Sequence, residues 1–212
     1  KHISSASVFC GSRPGTLPVF AEEAEALGRL MAEQDLQLVY GSGGAGLMGA
    51  VSRAYAQRRA ELEVGPQARA ALPPIGVNLH MFEAIQAGTP ASVQEATARD
   101  MAERKTFMLA ISNAYIVLPG GVGTIDEIGE ALVENDVMRH HNPKGFIKPV
   151  ILINTEIDGE GFWDDQLRQL QKCLRFGFTN AAIARYYAAV PNAAAAIELI
   201  KKLGAVPFNQ PI

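Results

Sequence analysis

The residues whose types and spacing could do chemistry lie in Pro119-Gly120-Gly121-Val122-Gly123-Thr124-Ile125-Asp126-Glu127, directly after the apolar run Ala114-Tyr115-Ile116-Val117-Leu118. The pattern reads as strand, glycine turn, helix. Three glycines within four positions let the backbone approach a ligand where a Cβ would block it. Pro119 ends the strand's ladder. Thr124 is expected to cap the helix that follows, with Glu127 three residues on as in a capping box. The helix's free N–H groups and positive dipole end would then face the loop, which suits a phosphate. Asp126 fits simple matching of that dipole. Glu127 is a carboxylate that a phosphate would repel, so it is expected to face another part of the ligand.

The elements that must position these residues follow a repeating order. Ala6-Ser7-Val8-Phe9-Cys10 reads as a buried strand, punctuated by Gly11-Ser12-Arg13-Pro14-Gly15. Leu17 to Gln34 is an amphipathic helix with Phe20, Ala24, Leu27 and Met31 as its apolar stripe. Leu36 to Tyr40 is a second strand, followed by the glycine run Gly41 to Gly46 and a helix from about Leu47 to Arg59. Ala60 to Pro74 is expected to be a surface connection, and Pro74 to Leu79 a brief third strand. A helix is expected over Glu95 to Ala110, and a further strand at Val150 to Asn154. Phe162 to Phe176 reads as a helix with Trp163, Leu167, Leu170 and Leu174 inward. Tyr186 to Val190 is a last strand, and Pro191 opens a helix through Leu203.

Strands alternating with helices of this length predict an α/β fold, a Rossmann-like doubly wound parallel sheet with helices on both faces. In such sheets ligands bind beyond the carboxyl ends of the strands, where the strand order reverses. Three glycine-rich junctions fall at such ends: Gly11-Ser12, Gly41 to Gly46, and Gly120 to Gly123. A dinucleotide fingerprint is disfavoured, because Gly41, Gly43 and Gly46 follow the second strand and no acid suited to a ribose ends a following one.

At 212 residues, 48% of them hydrophobic, the chain is expected to form a single domain over 1–212. A net charge of −3 argues against a nucleic-acid or anionic-membrane partner, and no run has membrane length. Two cysteines, Cys10 and Cys173, make no disulfide framework or zinc pattern. Lys1 to Ala6 lacks a signal-peptide apolar region, so a cytoplasmic setting is expected. His80, His140 and His141 show no ligand spacing and are expected at the surface. No metal is expected.

The segment 119–127 resembles the PGGxGTxxE signature of the LOG family, the cytokinin riboside 5′-monophosphate phosphoribohydrolases. Met101-Ala102-Glu103-Arg104-Lys105 is similar to the family's MxxRK segment, and Tyr40 to Gly49 to its YGGGxxGLMG segment. Cys10-Gly11-Ser12 resembles the loop after its first strand. The resemblance implies hydrolysis of the N-glycosidic bond of a nucleoside 5′-monophosphate, with no cofactor, in a homodimer. It implies that Gly120, Gly121, Gly123 and Thr124 hold the phosphate and that Arg104 and Glu127 form the catalytic pair. Cys10, Gly11, Ser12, Gly43, Gly44, Met48, Met101 and Lys105 would also bind substrate.

From the residues alone, Arg104-Lys105 is a solvated basic pair, and Met101 and Met108 are core. Arg104 could pair with Glu127, clamp the phosphate or lie near the departing base. Val122 stands where plant-type members have an aromatic, Ser42 interrupts the glycine run, and Ala102 stands where a His is frequent, so the base preferred is open. Two other readings remain: a binding protein without catalysis, such as a molybdenum-cofactor carrier, and a pyridoxal-phosphate decarboxylase, for which no Schiff-base lysine stands out. The helix from Ile125 to Val137, with Ile128, Ala131 and Leu132 to cover, is the expected dimer surface.

Overall fold

The structure is a computed structural model that describes residues 3–64, 72–82, 93–142, 144–203 and 206–207. In chain order the elements begin with β1 (Ser5–Phe9), α1 (Pro18–Glu33), β2 (Gln37–Tyr40), α2 (Gly46–Glu63), β3 (Ile75–Leu79), β4 (Gln94–Ala98) and α3 (Met101–Ile111). There follow β5 (Ala114–Val117), α4 (Val122–His141), the short β6 (Phe146–Ile147), β7 (Val150–Ile153) and the hairpin β8 (Glu156–Ile157) and β9 (Glu160–Gly161). The chain closes with α5 (Asp164–Arg175), β10 (Tyr187–Val190), α6 (Ala193–Leu203) and β11 (Val206–Pro207).

Seven strands form one parallel sheet in the order β10-β7-β5-β1-β2-β3-β4. The chain winds outward from β1 to β4, returns to β5 on the other side of β1, and winds out again. Alternation along each strand divides the core into two layers. Ala6 and Val8 of β1, Leu38 of β2, Ile116 of β5 and Ile151 of β7 pack with α1, α2 and α6. Their neighbours Phe9, Val39, Tyr115, Val117 and Leu152 pack on the other face with Met108 of α3, Ile128 and Leu132 of α4, and Trp163. Both faces are covered, which is why these strands read as unbroken apolar runs.

One expected element is different. Gln94 to Ala98 is a strand, paired in register with Ile75 to Leu79, and the helix starts only at Met101. Glu and Ala favour helix intrinsically, but at the open edge beside β3 the backbone gains a ladder, and the exposed side chains need no apolar alternation. Asp100 begins α3: its carboxylate accepts from the Glu103 N–H at 2.8 Å, while the Glu103 carboxylate accepts from the Arg99 N–H at 2.7 Å. In the expected connection 60–74, α2 runs on to Glu63, and residues 65–71 lie outside the described residues. Trp163 is buried just before α5, against which Leu167 and Leu170 are only partly buried.

Candidate active site

Strands β1 and β5 are neighbours, yet the chain leaves them over opposite faces of the sheet, so their carboxyl ends splay apart into a crevice. The two loops stay tied at its floor, where the Gly11 N–H donates to the Pro119 carbonyl at 3.0 Å. The resulting cleft encloses about 570 Å³. Of the residues expected to form a site, Cys10, Gly11, Ser12, Met48, Met101, Arg104, Gly120, Gly121, Gly123, Thr124 and Glu127 line it. Gly43, Gly44 and Lys105 do not. Gly43 rests on the Met48 side chain, the Gly44 carbonyl accepts from Arg53 at 2.8 Å, and Ser42 is buried and donates to Glu95 at 2.8 Å. These residues shape the loop after β2 from behind.

The glycine turn is built differently from the expected capping. Helix α4 begins inside the motif, with Gly121 as its N-cap and no side-chain cap. Its first bond runs from the Ile125 N–H to the Gly121 carbonyl at 3.1 Å, leaving the N–H groups of Val122, Gly123 and Thr124 without helical acceptors. Thr124 cannot cap because its side chain is buried beneath Gly120, where a Cβ on the glycine would meet its Oγ1. A Cβ on Gly121 or Gly123, by contrast, would meet nothing within 4 Å. The protein's own packing does not require glycine at either position.

Gly46 shows the opposite case. Its φ is +57°, and a Cβ there would come within 2.4 Å of the Ser12 carbonyl. It lets the loop after β1 rest on the start of α2.

Arg104 reaches the cleft from the first turn of α3. Its Nε donates to the Val77 carbonyl at 2.9 Å and its Nη2 to the Gly41 carbonyl at 2.7 Å, so β2 and β3 hold the guanidinium from behind. Gly41 has no room for a Cβ because Arg104 occupies that space. Burial works against the Arg104 charge and Glu127 supports it. Glu127 lies one turn into α4. Burial pushes its carboxyl up to about 7, against the pull of Arg104, with Asp126 raising it further and Lys105 lowering it. Burial and then the Glu127 charge hold the Cys10 thiol well above its ordinary range, so it is a neutral wall rather than a nucleophile.

The Arg-Lys pair therefore splits. Arg104 faces the cleft, while Lys105 crosses to α4, with its Nζ 2.7 Å from Asp126 and 2.5 Å from Glu130. His80, His140 and His141 are exposed and none lines the cleft.

The cleft is also lined by residues outside the expected binding and catalytic set, notably Arg13, Phe20, Leu47, Val122 and Phe162. Arg13 was legible as the cation in a loop at a strand's carboxyl end. Phe162 was not: the β8–β9 hairpin returns it to stand edge-on between Phe20 and Trp163.

A parallel sheet wound both ways from β1, with a glycine turn, a half-buried carboxyl and a guanidinium lining one cleft at the point of reversal, defines a Rossmann-type α/β protein with its cleft at the switch point. The family model described as possible lysine decarboxylase matches residues 48–200. A probable cytokinin riboside 5′-monophosphate phosphoribohydrolase of Oryza sativa subsp. japonica is 36% identical over 92% of this chain and 74% of its own length. A cytokinin riboside 5′-monophosphate phosphoribohydrolase of Arabidopsis thaliana is 33% identical over 92% and 79%, and one from Rhodococcoides fascians 34% over 71% and 67%. This chain belongs to that family, the LOG family. Among solved structures, the molybdenum cofactor binding protein of Rippkaea orientalis superposes with a TM-score of 0.64, covering 95% of this chain and 98% of its own. At 20% identity that likeness concerns the fold alone.

Proposed function

We propose that this protein hydrolyses the N-glycosidic bond of a nucleoside 5′-monophosphate, releasing the free base and ribose 5-phosphate. The observation that carries the reading is Glu127, a half-buried carboxyl raised to about 7, one turn inside a helix whose uncapped N-terminus opens on the same cleft. The 5′-phosphate sits on the N–H groups of Val122, Gly123 and Thr124. This brings the ribose C1′ towards Glu127. As the C1′–N bond breaks, its electron pair leaves with the base, and positive charge grows on the ribose ring. The Glu127 carboxylate stabilises that charge and takes a proton from the attacking water, whose oxygen bonds to C1′. Glu127 then gives up that proton and the departing base nitrogen gains one, so water is divided between C1′ and the base and the carboxylate is restored. Arg104, fixed by two backbone carbonyls, opposes the burial of Glu127 and favours its ionised form.

A purine is the base this reading favours, with or without an isoprenoid side chain; the aliphatic Val122 at the rim, 84% exposed, leaves it open to both. Schiff-base chemistry, which the family model's description would imply, needs a lysine amine at the reacting carbon. No lysine lines the cleft among the described residues, and Lys105 is committed to two carboxylates.

We also propose a homodimer. Ile128, Ala131 and Leu132, which suggested an interface, are buried in the protein's own core. The support lies on another stripe of α4, where Ile125, Val133 and Val137 are 42, 59 and 44% exposed; on α3, Met101 and Phe107 are 44 and 40% exposed. The two cysteines are both free, in keeping with a reducing, cytoplasmic setting; among the described residues no helix is long and apolar enough to cross a membrane.

The test is incubation with AMP and with isopentenyladenosine monophosphate, beside Glu127→Ala, following free base by chromatography. Release from either substrate, lost in the variant, is expected. Binding of both nucleotides with no release from the parent would overturn the hydrolase in favour of a carrier.

A further inference from the structure

The phosphate turn poses a problem of charge. A phosphate monoester brings between one and two negative charges at neutral pH, and α4 carries Asp126, Glu127 and Glu130 close to its N-terminus. Of the neighbouring cations, Lys105 is engaged with Asp126 and Glu130, and Arg104 faces Glu127 while donating to two carbonyls. These three carboxylates outnumber these two cations before any phosphate arrives.

The other cation that lines the cleft is Arg13. Its backbone is fixed where a phosphate would need it. Gly11, two residues earlier, is hydrogen-bonded to Pro119 at 3.0 Å, and the Arg13 N would lie 2.7 Å from a Cβ at Gly46, so the loop is seated on both the phosphate turn and α2. Its side chain, in contrast, is uncommitted: Arg13 is exposed and makes no hydrogen bond or ion pair among the described residues. An arginine with a fixed base and an open guanidinium fork matches the geometry of a phosphate.

We infer that Arg13 is the residue that reads the charge of the 5′-phosphate, and so makes this site select nucleotides over nucleosides. The inference rests on the reading of the cleft as a nucleoside-monophosphate site. The N–H groups of α4 supply direction, and Arg13 supplies the charge that the carboxylates on α4 cancel elsewhere.

The experiment compares the parent, Arg13→Gln, Arg13→Lys and the surface control Arg29→Gln, whose side chain is half exposed and pairs with Glu25. Ribose 5-phosphate binding is measured by calorimetry, and KM and kcat on AMP by base release. For Arg13→Gln, ribose 5-phosphate is expected to bind roughly ten- to hundred-fold more weakly, with KM for AMP raised similarly and kcat changed far less. Arg13→Lys recovers part of the loss, since it keeps the charge without the fork. Arg29→Gln matches the parent. Ribose 5-phosphate binding within about two-fold of the parent in Arg13→Gln would overturn the inference, as would a fall in kcat with KM unchanged. A parent that binds ribose 5-phosphate but releases no base would sink the hydrolase, while weaker binding in Arg13→Gln would still uphold Arg13. A parent that binds neither ribose 5-phosphate nor AMP overturns both.

Discussion

Glu127 concentrates the chemistry into a single titration. Its carboxyl sits near 7 rather than at the ordinary 4.5, chiefly because burial penalises the charged form. If the ionised form is the working one, kcat/KM on AMP rises with pH through about 7. Glu127→Gln removes that limb and lowers kcat by about 10²- to 10⁴-fold, which a pH–rate series of both proteins checks. The same shift has a consequence for stability, with a definite sign. Between pH 4.5 and about 7 the folded protein keeps a proton that the unfolded chain has lost, so this group's contribution to stability falls as pH rises across that window. Glu127→Gln, which mimics the protonated form, is expected to be more stable than the parent at about pH 8, by roughly 1–3 kcal/mol, and no more stable near pH 4.5. Thermal melts at the two pH values decide it.

The glycine junctions look alike in sequence and separate once built into elements. Gly46 has a left-handed backbone pressed on the Ser12 carbonyl, whereas Gly121 and Gly123 have open space where a Cβ would be. Gly46→Ala is therefore expected to destabilise the fold by more than about 1 kcal/mol. Gly123→Ala leaves the melting temperature unchanged or raises it slightly, because alanine loses less entropy in a helix, while KM for AMP rises at least about ten-fold as the methyl meets the phosphate. Melting curves and kinetics on the same two variants separate the roles, and a Gly123→Ala enzyme with normal KM would remove the phosphate from this turn. The start of α3 gives a further element-scale prediction. Asp100→Ala removes the cap that sets Met101 and Arg104, costing about 1 kcal/mol and some 2–4 °C in Tm. Asp100 and Glu103 stand three apart as in a capping box, so this start was readable; the helix-forming Glu95 and Ala96 just before it obscured the edge strand.

For the molecule as a whole, the exposed apolar stripe of α4 adjoins the cleft through Val122, which lines it. A dimer formed there would place each protomer's cleft beside its partner. Val133→Asp sets a charge in the middle of that stripe, on a side chain 59% exposed in the single chain. The expected outcome is a shift from dimer to monomer in sedimentation velocity, with folding retained because Val133 has no place in the core. A parent protein that sediments as a monomer at tens of micromolar would discard the interface.

Apart from the edge strand β4, the alternation of strands and helices, the parallel sheet and the position of the glycine turn followed from the sequence, because apolar periodicity and glycine placement are local consequences of burial and backbone sterics. Glu127 stood out inside the glycine motif, whereas Arg104 was named only through the resemblance to the LOG family, since its own surroundings in sequence read as a solvated basic pair. What became of them depended on the fold. Only the return of the chain from β4 to β5 sets Gly11 against Pro119, and only the packing of α3 against β2 and β3 turns Arg104 inward and sends Lys105 across to α4. Phe162 enters the cleft from a hairpin with no sequence signal of its own, and Ile128, Ala131 and Leu132 turn out to cover the protein's own sheet. A side chain's neighbours are set by long-range closure of the chain, and local sequence carries no term for that.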